Sequence, residues 1–202
     1  PHPPIGVAVM TPGSETIKFC GSNGFMPLSI HLNDEYTVGH WETYAESAEA
    51  NGITPDRSKW RIYSEIMVAE TDAEAEKLAF QGPMGRACRE YLWQLFSTFG
   101  FLKHIKLDPS IPDSEVTPEY IMRNCWMIGS VDTVTDRIVD LYNKTGGFGT
   151  LLWSPTDWGK HPERMRNTLE LLLNEVLPRV NKRIQPLVSL QEEAKHLTSP
   201  AS

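Results

Sequence analysis

The sequence predicts an α/β fold with parallel strands, and three observations carry that expectation. Short apolar runs alternate with amphipathic stretches along 202 residues, the order that parallel strands joined by crossover helices require. The first run, Ile5 to Met10, is unbroken, as in a strand covered on both faces. With 40% apolar and 22% charged residues, the composition is that of a globular chain with one sizeable core.

The elements follow in order. Ile5 to Met10 stops at Thr11-Pro12-Gly13-Ser14, and a helix pattern covers 13–22, punctuated by Gly21 and Gly24. "FMPLSIHL" reads as a second strand. Trp41, Tyr44, Ala45 and Ala48 share one face of a helix over 36–50, which Asn51-Gly52 stops. "RIYSEIMVAE" alternates and reads as one third strand. Thr71 and Glu74 have capping-box spacing. The helix they open is interrupted at Gly82-Pro83 and resumes as "RACREYLWQLFSTF", with Tyr91, Trp93, Phe96 and Phe99 mostly on its core face. Residues 102–116 are irregular and carry two prolines, long for a plain connection. Thr117-Pro118 is a cap with proline at the first helical position. In "GSVDTVTDRIVDLYNKTGG" either Ser130 or Asp132 caps a helix striped by Val134, Ile138 and Leu141. "FGTLLW" is a fourth strand. "SPTDWGKH" leads to a last helix with Leu169, Leu172, Leu173, Val176 and Leu177 inward, and the tail turns polar beyond about Arg183. Four strands cannot close an eight-stranded barrel, and they match half of one.

Charge and composition narrow the function classes. A net charge of -7 disfavours a general nucleic-acid or anionic-membrane partner. No apolar run approaches the ~20 residues that span a bilayer. No signal-peptide pattern opens the chain, so a cytoplasmic protein is expected. Cys20, Cys88 and Cys125 share no metal spacing and read as reduced core residues. The start at Pro1 suggests a processed chain or a fragment.

Several segments resemble the bacterial luciferase-like, flavin-dependent monooxygenases: "PPIGVAVMTPGSETIKFCG", "TPDRSKWRI", "VAETDAEAEKLAFQGP", "IGSVDTVTDRIVDLYNKTGGFGTLL" and "LNEVLPRV". "QGPMGRACREYLW" resembles the branch with limonene-type and diketocamphane-type monooxygenases. The resemblance implies a (β/α)8 TIM barrel of which this chain supplies the C-terminal half, strands 5 to 8. Residues 1–183 would form that half, with an insertion over about 82–126, and 184–202 a polar tail. It further implies reduced FMN from a separate flavin reductase, O2, and a small apolar ketone or terpenoid-like substrate, with a homodimer as the common assembly. The alternatives are a deazaflavin (F420)-dependent oxidoreductase of the same superfamily, or a non-catalytic remnant.

Function in such barrels gathers at the C-terminal strand ends. Residues 11–16 combine free helix N-terminal N–H groups, a flexible Gly13 and the hydroxyls of Ser14 and Thr16, which suits an anion. The same residues also read as a plain cap, with Thr11 or Ser14 as N-cap. The resemblance places the FMN phosphate there, making Met10, Thr11, Gly13, Ser14 and Thr16 cofactor-binding. Glu15 must then point away. His31 ends the second strand; the resemblance sets it near the flavin ring, as a cofactor contact and the best catalytic candidate, against a structural reading. Glu70–Asp72 reads as a cap, and Asp157, Trp158 and His161 as a surface loop or a substrate lining. No metal site, Rossmann fingerprint or nucleophile elbow is present.

Overall fold

A computed structural model describes residues 3–155, 159 and 161–185. Six short strands and eight α-helices appear among them. Strands β1 (Gly6–Val9), β2 (Met26–Ile30), β3 (Arg61–Tyr63) and β6 (Thr150–Leu152) form one parallel sheet in that order. Neighbours in the sheet are neighbours in chain order among the four expected strands, as in a barrel segment. Strands β4 (Ile66–Ala69) and β5 (Met127–Ser130) form a separate parallel pair.

Two strand expectations need correction. "RIYSEIMVAE" is not one strand. It breaks at Ser64-Glu65, and its halves join different sheets. Met127–Ser130 is a strand the sequence does not predict, its last two residues having been expected to open the following helix. Its four residues are too few to show a period of their own, and pairing with β4 makes them a strand.

Register divides the main sheet into two faces. Val9, Ser29, Ile62 and Leu151 lie side by side, and the first three are fully buried. They face the helices, in a cluster with Ile17, Trp41, Tyr44, Trp60, Val134 and Ile138. The Trp60 indole N–H donates to Ser29 Oγ at 2.8 Å, satisfying both polar groups inside this layer. The rows Ala8–Leu28–Arg61–Thr150 and Ile30–Tyr63–Leu152 point the other way and are half-buried or exposed. Thus β1 is covered on one face among the described residues, where its unbroken apolar run predicted two.

Helix α1 (Glu15–Ser22) packs on α2 (Asp34–Ala50). They meet closely at Gly21, where a Cβ would stand 2.4 Å from the Tyr44 carbonyl. Helix α2 starts earlier than the periodicity predicted because Asn33 caps it, accepting from the Tyr36 N–H at 2.8 Å. Thr71 caps α3 (Asp72–Gln81), and Thr117 caps α6 (Pro118–Asn124). Ser130 rather than Asp132 caps α7 (Val131–Thr145), which Gly146 ends at φ 69°.

The chain over 82–126 runs through α4 (Pro83–Ala87), a π-turn (Cys88–Leu92), α5 (Trp93–Thr98) and α6. It builds a second apolar cluster against Leu32, Tyr36, Met67 and Ala69, with Ile30 at its margin. This segment therefore sits over the C-terminal end of β2. Its aromatic residues divide: Phe96 is buried and Trp93 half-buried, whereas Tyr91 and Phe99 are 63% and 68% exposed. The expectation that most would face the core holds for half of them. Helix α8 (Pro162–Leu171) continues through a second π-turn (Leu172–Val176). Leu173 is exposed there, against the expectation that it points inward. The tail beyond Gln185 lies outside the described residues.

Candidate functional site

The turn after β1 is fixed before any ligand arrives. The Ser14 N–H donates to the Thr11 carbonyl at 3.2 Å, closing a tight turn. Gly13 holds φ 72°, a left-handed conformation that glycine adopts without strain. Its N–H donates to Thr43 Oγ1 at 3.2 Å, and that hydroxyl donates to the Gly39 carbonyl at 3.0 Å. Gly39 admits Pro12, since a Cβ there would stand 3.2 Å from the proline ring. The loop is thus stitched to α2 on one side.

Ser14 occupies the N-cap position of α1, yet its hydroxyl caps nothing. The hydroxyl oxygen is buried and has no hydrogen-bond partner. The Ile17 and Lys18 N–H groups both go to the Ser14 carbonyl, leaving those of Glu15 and Thr16 without backbone partners. Glu15 is exposed and paired with Lys18 at 2.8 Å, so its carboxylate is engaged away from the turn. Thr16 is exposed and Met10 half-buried. Met10 follows helix-facing Val9 and so turns toward the opposite face. A buried hydroxyl, two free N–H groups and the positive end of a helix converge here, a donor set that fits a phosphate.

His31 follows the neighbouring strand β2. It has the parity of helix-facing Ser29 and is 9% exposed. Its Nδ1 lies 2.9 Å from Thr37 Oγ1, whose own proton goes to the Asn33 carbonyl at 2.8 Å. Nδ1 must therefore carry the hydrogen, and Nε2 is the acceptor edge, 3.9 Å from Asp34. Burial is the main force on the ring and lowers its pKa to about 4. The cleft beside it, about 130 Å³, is lined by Asp34, Asn124, Cys125, Arg137 and Lys144 among others, and by no residue of 10–16. Met10 to Thr16 share the β1–α1 turn, and His31, beyond the neighbouring strand β2, lines a cleft toward α7.

The other candidates have structural partners. Asp72 accepts from the Ser130 N–H at 2.6 Å, tying the β4–α3 turn to the β5–α7 turn, and that bond leads in holding its carboxyl below the usual range. Glu70 is exposed. His161 is exposed and faces Glu163 at 3.3 Å; Asp157 and Trp158 lie outside the described residues. All three cysteines are free and buried, with burial pushing the Cys20 and Cys88 thiols up to about 12. His40 is fully buried on α2, and neither ring nitrogen has a partner. Among the described residues no cluster could hold a metal ion, and no helix is long and apolar enough to cross a membrane.

The sequence reading passed over one strand end. With β3 ending at Tyr63, Ser64-Glu65 stands at its C-terminal end. The Tyr63 phenol donates to Glu65 Oε1 at 2.8 Å, and Glu65 Oε2 is buried without a partner. Burial raises the Glu65 carboxyl above the usual range, with the Tyr63 hydrogen bond opposing it. The available signal was a glutamate two residues from a tyrosine inside an apolar run, a spacing that puts both on one face of an extended chain.

Comparison with known proteins follows the same lines. The 3,6-diketocamphane 1,6-monooxygenase of Pseudomonas putida is 34% identical over 178 residues, covering 88% of this chain and 47% of that protein. Limonene 1,2-monooxygenase of Rhodococcus erythropolis is 28% identical over 178 residues, covering 84% and 42%. Among solved structures, the oxygenating constituent of the Pseudomonas putida 3,6-diketocamphane monooxygenase, a type II Baeyer–Villiger monooxygenase in complex with FMN, matches with a TM-score of 0.82. That match has 34% identity and covers 88% of this chain and 49% of that one. No protein-family model matches. The chain spans about half the length of the curated relatives it matches. In sequence and in fold, it is similar to one half of a luciferase-like monooxygenase of the diketocamphane type.

Proposed function

We propose that this chain carries the FMN phosphate seat and part of the substrate wall of a flavin-dependent monooxygenase, one that uses reduced FMN and O2 to oxygenate a small apolar ketone or terpenoid. The buried, unpartnered Ser14 hydroxyl beside the free Glu15 and Thr16 N–H groups carries the reading. Bound reduced FMN supplies the electrons that activate O2 for transfer of one oxygen atom. This chain's residues do the rest. Ser14 and the two N–H groups donate to the phosphate, and Gly13 keeps the turn in the shape that aims them. Met10 lies on the flavin side. Ile30, Leu28 and Leu152 offer an apolar wall that keeps water from the reacting atoms. His31, neutral near pH 7, offers its Nε2 as a hydrogen-bond acceptor to the cleft on the helix side and does not act as a proton donor. Reduced flavin comes from a separate reductase, and the working assembly is a homodimer.

Equilibrium dialysis of the chain against FMN tests the seat. Micromolar binding is expected, weakened about 10- to 100-fold by Ser14→Ala, the loss of a hydrogen bond to a charged group. Equal binding by the variant sinks the seat. The deazaflavin cofactor binding where FMN does not would replace the monooxygenase reading with the reductase one, and binding of neither would favour a remnant.

A further inference from the structure

We propose that Tyr63 and Glu65 form the polar point of the substrate wall, with the Tyr63 phenol donating a hydrogen bond to the oxygen of a small ketone and Glu65 positioning that phenol. The inference rests on the monooxygenase reading. Register puts Tyr63 between Ile30 and Leu152, on the face opposite the helices. It is the polar member of an apolar row at the C-terminal strand ends, and it is half-buried. Small-molecule sites combine an apolar lining with a few placed polar groups of this kind.

Glu65 cannot leave this position cheaply. The Ser64 N–H donates to the Leu152 carbonyl at 3.1 Å, and the Glu65 carbonyl accepts from the Met127 N–H at 2.9 Å. The residue is the joint between the main sheet and the β4–β5 pair. Its carboxyl has one hydrogen bond and one buried oxygen with none, an arrangement that disfavours the anion. The titratable groups that interact with it among the described residues are Tyr63 and the Cys88 thiol, the latter itself raised by burial. A protonated Glu65 can turn its O–H onto Tyr63 Oη, which frees the phenolic proton for a ligand oxygen. An ionised Glu65 draws that proton back. No covalent bond changes in either arrangement.

The test is infrared difference spectroscopy of the chain with camphor labelled with ¹³C at its carbonyl. In the parent chain the carbonyl stretch should fall on binding, and the fall should vanish as rising pH ionises Glu65. Tyr63→Phe should bind camphor about 2- to 10-fold more weakly and show no downshift. Glu65→Gln, near in shape and unable to ionise, should keep the downshift and make it independent of pH. An unchanged downshift in Tyr63→Phe, a parent downshift as pH-independent as that of Glu65→Gln, or no camphor binding by a chain that still binds FMN overturns the inference and leaves the flavin seat standing. Failure to bind either ligand removes both.

Discussion

His40 and His31 make stability depend on pH. Both are buried, and burial lowers each pKa to about 4. The unfolded chain, with ordinary histidines, binds more protons than the folded one between about pH 6.5 and 4. Their contribution is therefore present above about pH 6.5 and lost as pH falls toward 4, on the order of 3 kcal/mol each. Urea midpoints should fall across this window. His40→Phe should flatten the fall, since it removes one titrating ring and two unpartnered nitrogens; an unchanged pH profile would refute that account. The place of His40 on a helix does not reveal its missing partners, which depend on what packs around the ring.

Among the elements, contacts explain what local pattern could not. The α1–α2 pair depends on Gly21, because a Cβ there meets backbone and not a movable side chain. Gly21→Ala should cost about 1–3 kcal/mol, read as a lower denaturation midpoint at unchanged slope; wild-type stability would mean the helices shift freely. The helix caps at Thr71, Thr117 and Ser130 were legible because a cap is a local event, settled within four residues. The break at Ser64-Glu65 was not. It exists because β3 pairs with β2 and β6 while β4 pairs with a strand some sixty residues away. The phosphate seat lies between these cases. Its Gly-Ser turn was readable, but not that the Ser14 hydroxyl would be buried and cap nothing.

For the molecule as a whole, the main sheet is open. Each of β1 and β6 has one neighbour among the described residues, and the face carrying Ala8, Leu28 and Tyr63 is less covered than the helix side. Open edges recruit other strands. The 202-residue chain should therefore associate with rising concentration in sedimentation velocity. Ala8→Lys, which places a charge on the exposed face of edge strand β1, should lower that association. A parent chain that stays monomeric would show that the open edges are masked.

Period, caps and turn residues settled the α/β class, the parallel order, most helices and the Thr11–Thr16 turn, because each depends on residues a few positions apart. The resemblance of those segments pointed to the flavin monooxygenases. Tertiary structure decided the rest. It split one expected strand, added β5, turned His31 toward the helices and set Tyr63 with Glu65 at a strand end. Each of those outcomes depends on which distant strand or helix lies alongside, and a one-dimensional pattern does not carry that information.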